Sequence, residues 1–172
     1  YIIQYINFLA RFSVSIVNLG FLNSFKILFL KIFPSKNISK ISSKKFGDIH
    51  WRSYYDYGVI SHFFSPQIGL NTKNNHPKVI VDIGANIGIE SLRFIKLFPN
   101  SKLIAVEPEL SNFKLLEKNL KDYKNSVTIN KAIWNKKTIL SIKNLNETNS
   151  QTFNVHEKNF PNVQKVESLS LK

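Results

Sequence analysis

The run Val79-Ile80-Val81-Asp82-Ile83-Gly84-Ala85-Asn86-Ile87-Gly88 decides how the rest of the chain is read. Its first five residues are β-branched apart from Asp82 and show no helical period, so they read as a buried parallel strand. The strand breaks at a glycine-bearing turn, 84–88. Beyond it Leu92, Ile95 and Phe98 recur at helical spacing with Phe94 and Leu97 beside them, until Pro99-Asn100 stops the helix. Strand, glycine turn and helix in that order open a β-α-β unit.

Working towards the C-terminus, 103–107 is a second apolar strand closed by Pro108, and 110–120 a second helix with Phe113, Leu116 and Leu120 on one face. A third strand begins at 127–130, and 138–142 and 166–171 read as further strands. Residues 143–165 are polar without a clear period and read as a loop or insertion. The β-α-β-α-β alternation predicts an α/β fold, a doubly wound and mostly parallel sheet with right-handed crossovers.

Working back, 71–77 is a polar linker ending at Pro77, which divides the chain into a leader, 1–77, and an α/β domain, 78–172. Residues 46–70 are aromatic and poorly periodic. Residues 1–33 read as two amphipathic helices broken near Gly20, the second ended by Pro34. The longest uncharged stretch, 12–25, contains Ser13, Ser15, Asn18, Asn23 and Ser24 and falls short of the about 20 apolar residues a bilayer span needs. It also lacks the basic start and the cleavage site of a secretory signal. Lys36, Lys40, Lys44 and Lys45 follow with no acid before Asp48. Two readings of residues 1–45 stay open: packing on the following domain, or peripheral docking on an anionic membrane.

Composition bounds the function. The 172 residues include 24 Lys+Arg against 11 Asp+Glu, a formal charge of +13. Residues 1–78 hold ten basic against two acidic side chains, and the remainder fourteen against nine. Only Arg11, Arg52 and Arg93 are arginine, and no aromatic-interleaved basic motif accompanies them, so no nucleic-acid partner is expected. The 21 Lys, 21 Ile and 20 Asn point to AT-rich coding rather than to a selected basic surface. The absence of cysteine excludes disulfides, thiolate metal sites and a cysteine nucleophile. The absence of methionine, a start in mid-pattern at Tyr1 and an end just after the 166–171 strand read as a segment of a longer protein. His50, His62, His76 and His156 are isolated and read as structural or surface residues. The acceptor triplets at Asn37 and Asn146 fit chance in a chain this rich in asparagine.

Open α/β sheets bind ligands at the carboxyl ends of their strands. There the sequence sets Asp82, the 84–88 turn, Glu107 and residues 130–132. Glycines allow close approach to the backbone, and amides at the helix start favour a carboxylate or other anion. Glu107 lies at the spacing from Gly84 where an acid accepts ribose hydroxyls. These features describe a pocket for an adenosine-bearing cofactor. A dinucleotide fingerprint fails, because Asn86 and Ile89 stand where glycines are required, and no G-K-[ST] closes a P-loop. An acid two residues before the first glycine suits a ligand with a cationic amino group, and S-adenosyl-L-methionine carries that charge pattern.

The 79–88 run resembles the first motif of the FkbM family of S-adenosylmethionine-dependent methyltransferases. Phe98-Pro99, Val106-Glu107-Pro108, Asn112-Phe113, Leu116, Lys118-Asn119-Leu120 and Asn130-Lys131-Ala132-Ile133 continue the likeness, which covers 79–142 well and 166–171 loosely. The resemblance implies the first half of a Rossmann-like class I methyltransferase domain. Asp82 would anchor the turn and the amino end of the methionine moiety; Gly84 and Asn86 would line methionine and ribose. Gly88 would start the helix, Glu107 would bind the ribose hydroxyls, and the backbone near Asn130 to Ala132 would edge the adenine. Ala85 and Pro108 complete the implied cofactor set. The implied reaction is O-methylation of a hydroxyl on a sugar, glycolipid or secondary metabolite, in the cytoplasm, with a small molecule or glycan as acceptor. The family's acidic D-x-E-G motif would follow the 166–171 strand, beyond this chain, and no general base is visible within it. The alternatives are a nicotinamide-dependent oxidoreductase and a non-catalytic adaptor module of the same fold.

Overall fold

The computed structural model describes residues 2–35, 37–64, 76–144 and 153–170. Residues 71–75 of the expected linker, Lys36, the Asn146 triplet and Leu171 lie outside them. The described residues form a mixed α/β structure with five α-helices and three sheets, one of them a three-stranded parallel sheet. The chain divides into two compact units, Tyr1–Asn75 and His76–Lys172.

In the first unit α1 (Ile2–Leu19) and α2 (Phe21–Ile32) are separated by Gly20, whose φ of 88° turns the chain between them. The expected leader of helices and aromatics also contains a hairpin that the sequence pattern did not reveal. Its strands are β1 (Ile38–Ser43) and β2 (Gly47–Arg52), paired antiparallel with Ile41 opposite Ile49. Ser43 Oγ accepts the amides of Lys45 and Phe46, closing the turn. α3 (Ser53–Ile60) and a 3₁₀ turn (Ser61–Phe64) follow. Ile27, Ile41, Phe46, Ile49, Trp51, Ile60 and Phe63 form the core, with the Phe46 and Phe63 rings 4.9 Å apart. Each such side chain contributes about 1.5–3 kcal/mol on burial. Asp56, fully buried, accepts from the Arg52 amide and from Arg52 Nε and Nη2 at 2.7–2.9 Å. Removing one partner of such a pair costs about 3–5 kcal/mol.

In the second unit β3 (Val79–Ile83), β4 (Lys102–Val106) and β5 (Ser126–Ile129) pair in parallel, in the order β3-β4-β5. α4 (Ile89–Leu97) and α5 (Leu110–Leu120) make the crossovers. The register sets Asp82 beside Ala105 and Ile83 beside Val106. Ile80 and Asp82 share a face with buried Leu103 and Ala105. The opposite face departs from the expected buried strand: Val79, Val81 and Ile83 are 50%, 51% and 54% exposed. A doubly wound sheet covers both faces. Among the described residues helices cover one.

The later strands also depart from a continuous parallel sheet. β6 (Ala132–Trp134), β7 (Ile139–Asn144), β8 (Phe153–His156) and β9 (Gln164–Ser170) form a separate sheet in the order β6-β9-β7-β8. Only β6 and β9 run parallel; β7 is antiparallel to both its neighbours. The links between β6, β7 and β8 are too short to hold a crossover helix, so β7 and β8 return antiparallel. β8 lies inside the stretch that reads as a polar loop. Its Phe153 and Val155 pack on the core of Ala132, Leu140, Ile142 and Val166.

Candidate functional site

The β3–β4 register brings the 84–88 turn against the end of β4. The amides of Gly84 and Ala85 both donate to the Val106 carbonyl, at 2.9 and 3.0 Å. Gly84 has φ 76°, and a Cβ built there would meet nothing within 4 Å. Its glycine is therefore required by conformation and leaves open space beside the backbone. Asn86 is left-handed as well, φ 52°, and its Oδ1 accepts the Ile87 amide at 2.7 Å; asparagine tolerates this region because its short side chain bonds locally. Gly88 caps α4 at φ 88°, where a Cβ would lie 2.7 Å from Leu116 Cδ1. Its glycine serves the seating of α4 on α5.

Two carboxylates flank this turn. Glu107 is buried; its Oε2 accepts the Asn86 amide at 2.8 Å and its Oε1 the Glu109 amide at 3.0 Å. Burial pushes its carboxyl above the usual glutamate value, and the two amides and Asn112 pull it partly back. Asp82 Oδ2 accepts from Ser91 Oγ at 2.6 Å on α4. Burial raises the Asp82 carboxyl too, with Ser91 opposing and Glu90 adding to the rise. Glu109, just beyond, caps α5 by accepting the amides of Ser111 and Asn112.

A cavity of about 370 Å³ opens at the carboxyl ends of β3 and β4. This lies within the range of small-molecule sites, about 300–1,000 Å³. Of the residues expected from the sequence, Gly84, Pro108 and Ala132 line it; Asp82, Ala85, Asn86, Gly88 and Glu107 do not. The latter five instead shape the turn behind it. Asn130 Nδ2 donates to the carbonyls of Glu107 and Pro108, and Gln164 Nε2 to Pro108, so the far rim is held by side-chain amides.

The rest of the wall was not legible. β8 contributes all four of its residues, Phe153 to His156, beside Ile133 and Lys131. Lys131 Nζ is 2.9 Å from Glu167 Oε2, a solvent-exposed pair. His156 Nε2 is buried without a hydrogen-bond partner, and its ring stands edge-on to Phe160. A reader could have found β8 only through the two-residue alternation of Phe153 and Val155 with Asn154 and His156.

Among the described residues no group of three His, Cys, Asp or Glu could hold a metal ion. Compared with known proteins, the chain matches no family model, no curated protein and no solved structure.

Proposed function

We propose that this chain holds the S-adenosylmethionine-binding part of a Rossmann-like methyltransferase that acts on a hydroxyl of a sugar, glycolipid or secondary metabolite. The observation that carries the reading is the cavity at the carboxyl ends of two parallel strands, walled by Gly84, Pro108 and Ala132. Parallel β3, β4 and β5 joined through α4 and α5 support the fold assignment.

The residues present fit the cofactor. Gly84 leaves room for close approach to its backbone. The Glu107 carboxylate, held by two main-chain amides and by Asn112, would accept a ribose hydroxyl at the one acceptor position these three leave. Asp82, behind the cavity wall near the end of β3, would supply negative charge towards a cationic amino group. Ile133, Phe153 and Val155 give the apolar wall that an adenine ring requires. When bound, the cofactor supplies a methyl group on a positively charged sulfur. Positioning of the acceptor then carries much of the rate.

Lys131 and His156 are the titratable side chains of the cavity wall, and Lys131 is paired with Glu167. His156 Nε2 is closed off within that wall, so it is not placed to take a proton from an acceptor hydroxyl, and the residue serves the cavity as a wall. A nicotinamide cofactor fits less well: the Asn86 amide, where a pyrophosphate would sit, already donates to Glu107.

Calorimetry tests the proposal. S-adenosylhomocysteine should bind saturably to the chain, and Gly84→Val should weaken that binding more than tenfold. Binding of NAD in its place, or of neither ligand, overturns the assignment.

A further inference from the structure

The first two helices are built inside out. At their crossing Ser15 Oγ and Ser24 Oγ meet at 2.7 Å, and both serines are fully buried. Asn18 and Asn23 are half-buried: Asn18 Nδ2 donates to the Phe63 carbonyl, and Asn23 Nδ2 to that of Ser42. Leu19 and Ile27 are buried, while most of the large apolar side chains point the other way. Along α2 and at its C-cap, Phe21, Leu22, Phe25, Phe29, Ile32 and Phe33 are between 54% and 82% exposed. Phe8, Phe12, Phe21 and Phe25 continue one aromatic strip across both helices, with successive rings 6.0–6.4 Å apart. A helix pair in water keeps its apolar stripe towards its core. Small and hydroxylated residues between helices, with aromatics outside, are the arrangement of helices facing lipid.

The charge around the strip identifies the occupant. Residues 1–47 hold seven Lys and Arg and no Asp or Glu. Beside the α1–α2 turn lies a cavity of about 420 Å³ lined by Val17, Phe21, Leu22, Ser42, Lys44 and Lys45 among others. It joins apolar rim to ammonium groups, the two chemistries of an anionic lipid. Lys45 Nζ is braced by Asn18 Oδ1 at 3.1 Å on the cavity's edge. No described helix is long and apolar enough to cross a membrane, and the exposed aromatic strip runs along the outside of the pair, so the fitting geometry is interfacial.

We infer that the α1–α2 face is a docking surface for an anionic phospholipid membrane. Phe21, Leu22, Phe25 and Phe29 enter the acyl boundary while Lys26, Lys31, Lys44 and Lys45 meet the headgroups. Aromatic side chains supply depth, and the lysines supply preference for negative lipid.

Flotation of the full 172-residue chain with phosphatidylglycerol-containing vesicles tests this. The chain should rise with these vesicles at least tenfold more than with pure phosphatidylcholine, and less in high salt. Phe21→Ser combined with Phe25→Ser, both at exposed positions, should abolish flotation with the circular-dichroism spectrum unchanged. Lys44→Glu with Lys45→Glu should remove the preference for negative lipid. Two results would each overturn the inference: no flotation with either vesicle, or a stable dimer in solution that the Phe21 and Phe25 changes dissociate and vesicles do not.

Discussion

The carboxylate of Glu107, at the end of β4, holds the main-chain amide of Asn86, in the turn after β3, at 2.8 Å. This one bond ties two strand ends together and fixes a left-handed, non-glycine residue where it must sit for the turn to close. Replacing Glu107 by Gln keeps the shape but turns one acceptor into a donor, so an amide of Asn86 or Glu109 faces another N–H. The expected cost is about 1–3 kcal/mol in urea denaturation. S-adenosylhomocysteine binding should fall at least tenfold in the same variant.

The two glycines of the turn separate by experiment. Gly84→Ala forces a side chain into φ 76°, at about 1–2 kcal/mol, without a clash. Gly88→Ala adds an overlap with Leu116 and should lower the melting temperature further. Ligand affinity should show the reverse order, Gly84→Ala being the more harmful. Equal effects of both changes on affinity would count against Gly84 as a cavity wall.

Acid stability should depend on Asp82. Its carboxyl is raised above 3.8 by burial, so the folded chain keeps a proton that the unfolded chain has released. The stability it contributes is therefore full below 3.8 and is lost as pH rises through the raised folded value. In Asp82→Asn that part disappears. The melting temperature of the variant should decline less than that of the parent between roughly pH 4 and pH 7.

His156 should report ligand entry directly. In a titration with S-adenosylhomocysteine followed by NMR, its ring resonances should shift. Those of His50, in β2 of the first unit, should not. An unmoved His156 at saturation would remove it from the cavity wall.

The legible parts of this molecule are those where one period persists. Leu92, Ile95 and Leu116, Leu120 mark α4 and α5, and β-branched runs mark β3 and β4, so the β-α-β-α-β order could be read directly. The two N-terminal helices were legible because Gly20 and Pro34 punctuate them. The β1–β2 hairpin was not: Ile41, Phe46, Ile49 and Trp51 become core residues through cross-strand pairing and ring packing, not through a repeating pattern. α3 carries tyrosines on several sides and shows no preferred face. At the site, the turn and Glu107 were legible as a motif. His156 was not, because it reaches the cavity only after β8 pairs with β7, Ser141 opposite His156. The exposed face of Val79, Val81 and Ile83 was misread, since a run of β-branched residues does not say how many of its sides will be covered.

The pairing of Asp82 with Ala105 joins two constraints that are usually thought of separately. A slip of one residue between β3 and β4 would carry Asp82 to the uncovered side of the sheet and send Ile83 towards α4. The same slip would move the Asn86 amide away from Glu107. The register between two strands thus sets the address of a charge. Substitutions that loosen the β3–β4 alignment should be inherited together with loss of the turn, even where they touch neither carboxylate.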